Sequence, residues 1–113
     1  MIMDDATVIG AAETLAEAIT RSETYAGFMK AKENIKKEPS LAAQLDEYKD
    51  AYMDYRLNQS GGEAEDDKER VLSSQYSALM LMDKTRDYLE CEARLYALID
   101  KVHGALQKAY ENI

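Results

Sequence analysis

Pro39-Ser40-Leu41-Ala42-Ala43-Gln44-Leu45-Asp46-Glu47-Tyr48-Lys49-Asp50-Ala51-Tyr52-Met53-Asp54-Tyr55-Arg56-Leu57-Asn58 decides the fold of this 113-residue chain. Leu41, Leu45, Tyr48, Tyr52 and Tyr55 recur at steps of four, three, four and three residues. On a strand this spacing would scatter the apolar groups over both faces, whereas at ~3.6 residues per turn it aligns them in one narrow stripe. Such a stripe suits a helix packed nearly parallel or antiparallel to its partners. Pro39 disfavours helical geometry at Glu38 and has the fixed φ that a first helical position accepts. Gln59-Ser60-Gly61-Gly62 ends the run with two glycines that adopt left-handed turns at little cost.

The same periodicity recurs on both sides of this stretch. Val8, Ile9, Ala12, Leu15, Ala16 and Ile19 line one face of a first helix, with Asp4 and Asp5 at its positive end. Thr20 or Ser22 can cap a short second helix, and Thr20 with Glu23 has the spacing of a capping box. Its apolar face is Tyr25, Phe28, Met29 and Ile35, and Lys36-Lys37 suit its last turn. Downstream, Glu63, Glu65, Asp66 and Asp67 open a fourth helix whose apolar side is Val71, Leu72, Tyr76, Leu79 and Met80. The polar stretch 83–87 marks a short break or a kink before a fifth segment, where Tyr88, Leu95, Ile99, Val102, Leu106 and Ala109 continue toward Ile113. The expectation is an all-α antiparallel helical bundle of about five helices, one domain over residues 1–113. Its third and fifth helices are long, at ~25–40 Å.

Composition narrows the classes of function. One proline and five glycines leave few helix breakers. Twenty-two acidic residues against 14 basic ones give a net charge of −8, a surface that repels phosphate backbones and anionic membranes. Neither direct nucleic-acid binding nor membrane insertion is expected. A single cysteine forms no internal disulfide, Asp4 and Asp5 stand where a signal peptide carries positive charge, and the expected location is cytoplasmic.

The search for chemistry finds little. His103, the only histidine, has Asp100 three residues before it, but a di-metal carboxylate bundle needs acid-x-x-His elements on two helices. Cys91 stands between Glu90 and Glu92, whose charges disfavour a thiolate. Glu65-Asp66-Asp67-Lys68-Glu69 resembles half of the acidic motif of MazG-type all-α nucleotide pyrophosphatases, in which helix-borne carboxylates hold magnesium. That alternative would use Glu65, Asp66 and Glu69, yet no Glu-x-x-Asp follows downstream as its second half. Lys30, Lys32, Lys36 and Lys37 form one basic patch, better read as a solvated face than as an RNA platform. No catalytic residue, cofactor or metal ligand is assigned.

Contact surfaces are the stronger signal. Eight tyrosines and six methionines suit adaptable, partly wet interfaces. Leu79-Met80-Leu81-Met82 surrounds most of a turn with apolar groups and is the candidate partner surface. Leu41, Leu45, Tyr48, Tyr52 and Tyr55, with Leu95, Ile99 and Val102 of the fifth helix, are the candidate assembly seam. The alternative, that these wide stripes serve one compact core, satisfies the same pattern.

The stretches Ala11–Ile19, Ser22-Glu23-Thr24-Tyr25, Glu38-Pro39-Ser40-Leu41 and Tyr48–Gln59, followed by Tyr88-Leu89 and Glu92-Ala93, resemble the YlbF/YmcA family. The likeness runs from about Val8 to Tyr110, and the short length resembles its YheA-type members. It implies an all-helical regulator of bacterial competence, sporulation or biofilm formation that assembles as a homodimer or higher homo-oligomer. It also implies partners among paralogous family members or the endoribonuclease RNase Y, a link to mRNA processing. Some members bind iron–sulfur clusters through several cysteines. Cys91 alone cannot supply four ligands, which separates this chain from them. A purely structural self-assembling module is the remaining alternative.

Overall fold

The computed structural model describes residues 2–58 and 62–111, and these form five α-helices with no strand among the described residues. They are α1 (Asp5–Thr20), α2 (Glu23–Lys36), α3 (Pro39–Leu57), α4 (Glu63–Met80) and α5 (Asp83–Tyr110). The all-α expectation and the long third and fifth helices are met. At 28 residues, α5 runs ~42 Å.

Local chemistry explains the boundaries. Asp4 caps α1 by accepting a 2.8 Å hydrogen bond from the Thr7 N–H, and hydrogen bonding to the Thr7 side chain first and to this N–H second holds its carboxyl below the ordinary aspartate range. Ser22, rather than Thr20, caps α2: its Oγ accepts from the Tyr25 N–H at 3.1 Å and donates to the Ile19 carbonyl at 2.7 Å. Thr20 cannot form the box with Glu23 because α1 runs through it, and its hydroxyl donates back to the Glu17 carbonyl at 3.0 Å. Pro39 opens α3 as its first residue. Gly62 precedes α4 with φ 80°, the left-handed conformation for which glycine is suited. The remainder of the expected Gln59–Gly61 break lies outside the described residues.

Two compact units divide the chain. Residues 31–90 form the first, comprising the end of α2, all of α3 and α4, and the start of α5. Here α3 and α4 pack along each other. Tyr55 pairs with Glu69, Asp54 with Lys68 and Tyr48 with Tyr76, so positions later in α3 meet positions earlier in α4. The hairpin is therefore antiparallel. Ala31, Ile35, Leu45, Leu72, Leu79 and Tyr88 are buried in this unit. Each fully buried leucine or isoleucine contributes ~1.5–3 kcal/mol relative to exposure.

The α4–α5 corner falls at Leu81-Met82, slightly before the stretch 83–87 that polarity alone marks as the break. Thr85, in the first turn of α5, has no exposed surface. Its hydroxyl donates to the Leu79 carbonyl, with the Met82 carbonyl also within 3.2 Å. The last carbonyls of a helix lack partners in their own ladder, and Thr85 satisfies one of α4's from across the turn. Arg86 reinforces the corner, its guanidinium 2.7 Å from Asp83 and 3.5 Å from the Met80 carbonyl.

Residues 1–30 and 91–113 form the second unit. It contains α1, the first half of α2 and the C-terminal part of α5. Its buried apolar residues among those described are Cys91 and Leu95.

Candidate interaction surfaces

The most structured surface is an aromatic groove on the α3–α4 hairpin. Tyr48, Tyr52, Tyr55, Glu69, Leu72, Ser73 and Tyr76 line an open depression of about 350 Å³. Tyr48 is central, its ring 6.2 Å from that of Tyr52 and 6.0 Å from that of Tyr76, both tilted. The Arg56 guanidinium lies 5.9 Å from the Tyr52 ring centre and donates to its hydroxyl at 3.2 Å. Tyr55 donates its phenolic hydrogen to Glu69. That bond to a carboxylate, with desolvation and the charge of Glu69 adding to it, pushes the Tyr55 pKa up to about 12. The groove thus offers apolar ring faces with fixed polar tips, which suit a protein partner.

The residues singled out in the sequence fall in unequal environments. Along α3, Leu45 is buried, Leu41, Tyr48 and Tyr55 are half-buried, and Tyr52 is exposed. Along α5, Leu95 is buried while Ile99 and Val102 are half-buried. Leu45 and Leu95 therefore pack within the chain, and Tyr52 faces solvent. In the Leu79–Met82 run, Leu79 points inward at 2% exposure, Met80 and Met82 are half-buried, and Leu81 is 83% exposed. Only Leu81 of these four is fully presented to a partner.

Among the described residues, no three histidine, cysteine, aspartate or glutamate side chains come together in a way that could hold a metal ion. Of the acidic trio, Glu69 receives the Tyr55 hydroxyl, Glu65 is half-buried and Asp66 is exposed. His103 is exposed, and Cys91 is buried with the Arg94 guanidinium 3.8 Å from its sulfur. Lys30, Lys32, Lys36 and Lys37 are all exposed. No described helix is long and apolar enough to cross a membrane.

A second surface was not singled out from sequence. Every residue of α1 is exposed except the half-buried Ile19. Its Val8 and Ile9 are 57% and 58% exposed, and on α5 Leu106 is 43% exposed. The periodicity marked these positions as apolar faces, but a pattern states that a face wants cover without stating what covers it. The available signal was the alanine-rich, cation-free first helix, too weakly anchored to serve as an ordinary core element.

Comparison with known proteins places this geometry. The family described as control of competence regulator ComK, YlbF/YmcA, matches residues 8–110. The UPF0342 protein STH1710 of Symbiobacterium thermophilum is 28% identical over 101 residues, covering 88% of this chain and 90% of that protein. Among solved structures, Bacillus subtilis RicA, crystallised in complex with RicF, superposes with a TM-score of 0.66 at 18% identity. The match covers 96% of this chain and 97% of that one, and shows a shared fold.

Proposed function

Since the chain belongs to the YlbF/YmcA family, we propose that it is a non-catalytic regulatory adaptor that works by binding other proteins. The aromatic groove of Tyr48, Tyr52, Tyr55 and Tyr76 supports this reading most directly, because it joins ring surface to polar tips on one antiparallel hairpin. Leu81, next to the corner fixed by Thr85, adds an exposed anchor. RicA was crystallised with RicF, and a paralogous helical chain is the first partner proposed here. The process proposed is the developmental control associated with the family: competence, sporulation or biofilm formation, with RNase Y-linked mRNA processing as one route.

The test is affinity purification at native abundance, followed by mass spectrometry of what survives moderate salt. Recovery of a ribonuclease or a YlbF/YmcA-type paralogue, lost on Tyr52→Ala with Tyr76→Ala, supports the adaptor reading. Recovery of the chain alone overturns it.

A further inference from the structure

We propose that the tyrosine groove of the α3–α4 hairpin receives an arginine side chain of a partner protein, the guanidinium lying against the rings and donating to the Glu69 carboxylate. This names the chemistry of the partner and so rests on the adaptor reading, of which it is a narrower form.

Ring surface is the first observation. Tyr52 and Tyr76 are 42% and 43% exposed, and their rings lie 6.2 and 6.0 Å from that of the half-buried Tyr48. The face of a tyrosine ring carries negative charge density and attracts a cation placed over it. The chain holds an example of its own, since the Arg56 guanidinium lies 5.9 Å from the Tyr52 ring centre. Arg56 reaches Tyr52 from the next turn of the same helix and does not line the groove, so Tyr48 and Tyr76 are left to a visitor.

Charge identifies that visitor. Of the described residues that line the groove, only Glu69 is charged. One of its oxygens accepts the Tyr55 hydroxyl, and the other has no partner among the described residues. Glu65, half-buried and four residues earlier on α4, shares its face and adds a second negative charge. An acidic side chain entering here would meet like charge. An apolar one would cover a carboxylate without giving it a donor, which costs free energy. A guanidinium serves both features at once: it is flat, stacks on aromatic faces, and presents several N–H groups to a carboxylate. Lysine offers a compact, strongly hydrated charge that stacks less well.

The test is titration of the purified full chain with short alanine-based peptides bearing arginine at fixed positions. Matched peptides carry lysine, glutamate or the neutral arginine isostere citrulline at the same positions. Binding is followed by NMR of the tyrosine rings. The arginine peptide is expected to shift the signals of Tyr48, Tyr52 and Tyr76 saturably and to bind about tenfold more tightly than the citrulline peptide. Tyr52→Ala with Tyr76→Ala should lose most of that preference, and Glu69→Gln should weaken it. Arg56→Gln removes a competing cation from the Tyr52 ring and should tighten binding. Arginine bound no better than citrulline or lysine, or a preference unmoved by the tyrosine substitutions, overturns the proposal. So does weaker binding in Arg56→Gln, or a preference for the glutamate peptide, either of which marks an acidic partner. Should the double tyrosine variant lose helicity, the exposed Glu69 and Arg56 substitutions decide by their opposite signs. Failure of the adaptor reading shows separately, as recovery of the chain alone in the affinity purification; failure here shows in the titration even when a partner is recovered.

Discussion

Tyr55 of α3 and Glu69 of α4 are joined across the hairpin by a hydrogen bond in which the phenol donates and the carboxylate accepts. The bond requires the neutral phenol, and this is why the Tyr55 pKa stands near 12 rather than 10.0. A raised pKa in the folded state gives stability that is complete below the unfolded value and fades as pH climbs from ~10 through ~12. Ultraviolet titration of tyrosinate is expected to show one late-titrating residue. That late phase should vanish in Tyr55→Phe and move down toward ~10 in Glu69→Gln. A late phase unchanged in both variants would remove the assignment.

At the α4–α5 corner, Thr85→Val keeps the shape and removes the donor to Leu79. The Leu79 carbonyl then keeps only the Met82 N–H at 3.3 Å, and the expected loss is ~0.5–1.5 kcal/mol in urea unfolding. Thr85→Ser keeps the donor and should lose distinctly less. Equal losses in the two variants would mean that packing of the methyl group, rather than the hydroxyl, governs the corner.

Leu79 and Leu81, two residues apart, should separate folding from binding. Leu79→Ala opens space in the core and is expected to cost ~2–5 kcal/mol. Leu81→Ser changes an exposed side chain and should leave stability within ~0.5 kcal/mol while weakening partner capture. Chemical denaturation read alongside the affinity purification distinguishes the two roles.

Lys49 and Tyr88 form the tie between α3 and the start of α5. The Lys49 ammonium donates to the Tyr88 hydroxyl at 2.6 Å and lies 4.7 Å from its ring centre. A double-mutant cycle of Lys49→Met and Tyr88→Phe isolates the hydroxyl contact, since phenylalanine keeps the ring under the cation, and should give a coupling of ~0.5–1.5 kcal/mol. Zero coupling would show that the hydrogen bond to the hydroxyl adds nothing to stability.

Fold class was readable because α3 repeats its apolar residues at helical steps and is bounded by Pro39 and the glycines ending in Gly62. Those signals are local, and local geometry answers to them. The α4–α5 corner was placed a few residues late because Leu81-Met82 contains no glycine or proline. It is held by the Thr85 hydroxyl, a contact over six residues that periodicity does not register. The candidate surfaces were only partly legible. Tyr48, Tyr52 and Tyr55 form one stripe in sequence, yet Leu45 of the same stripe turns into the core while Tyr52 faces water. Burial depends on what lies opposite, and that information belongs to α4 and α5 rather than to α3 itself.

A first helix with no buried residue also bears on how long the protein lasts in a cell. Segments with little tertiary burial open at small free-energy cost and are where proteases begin. Proteolysis of the native protein is therefore expected to begin within α1.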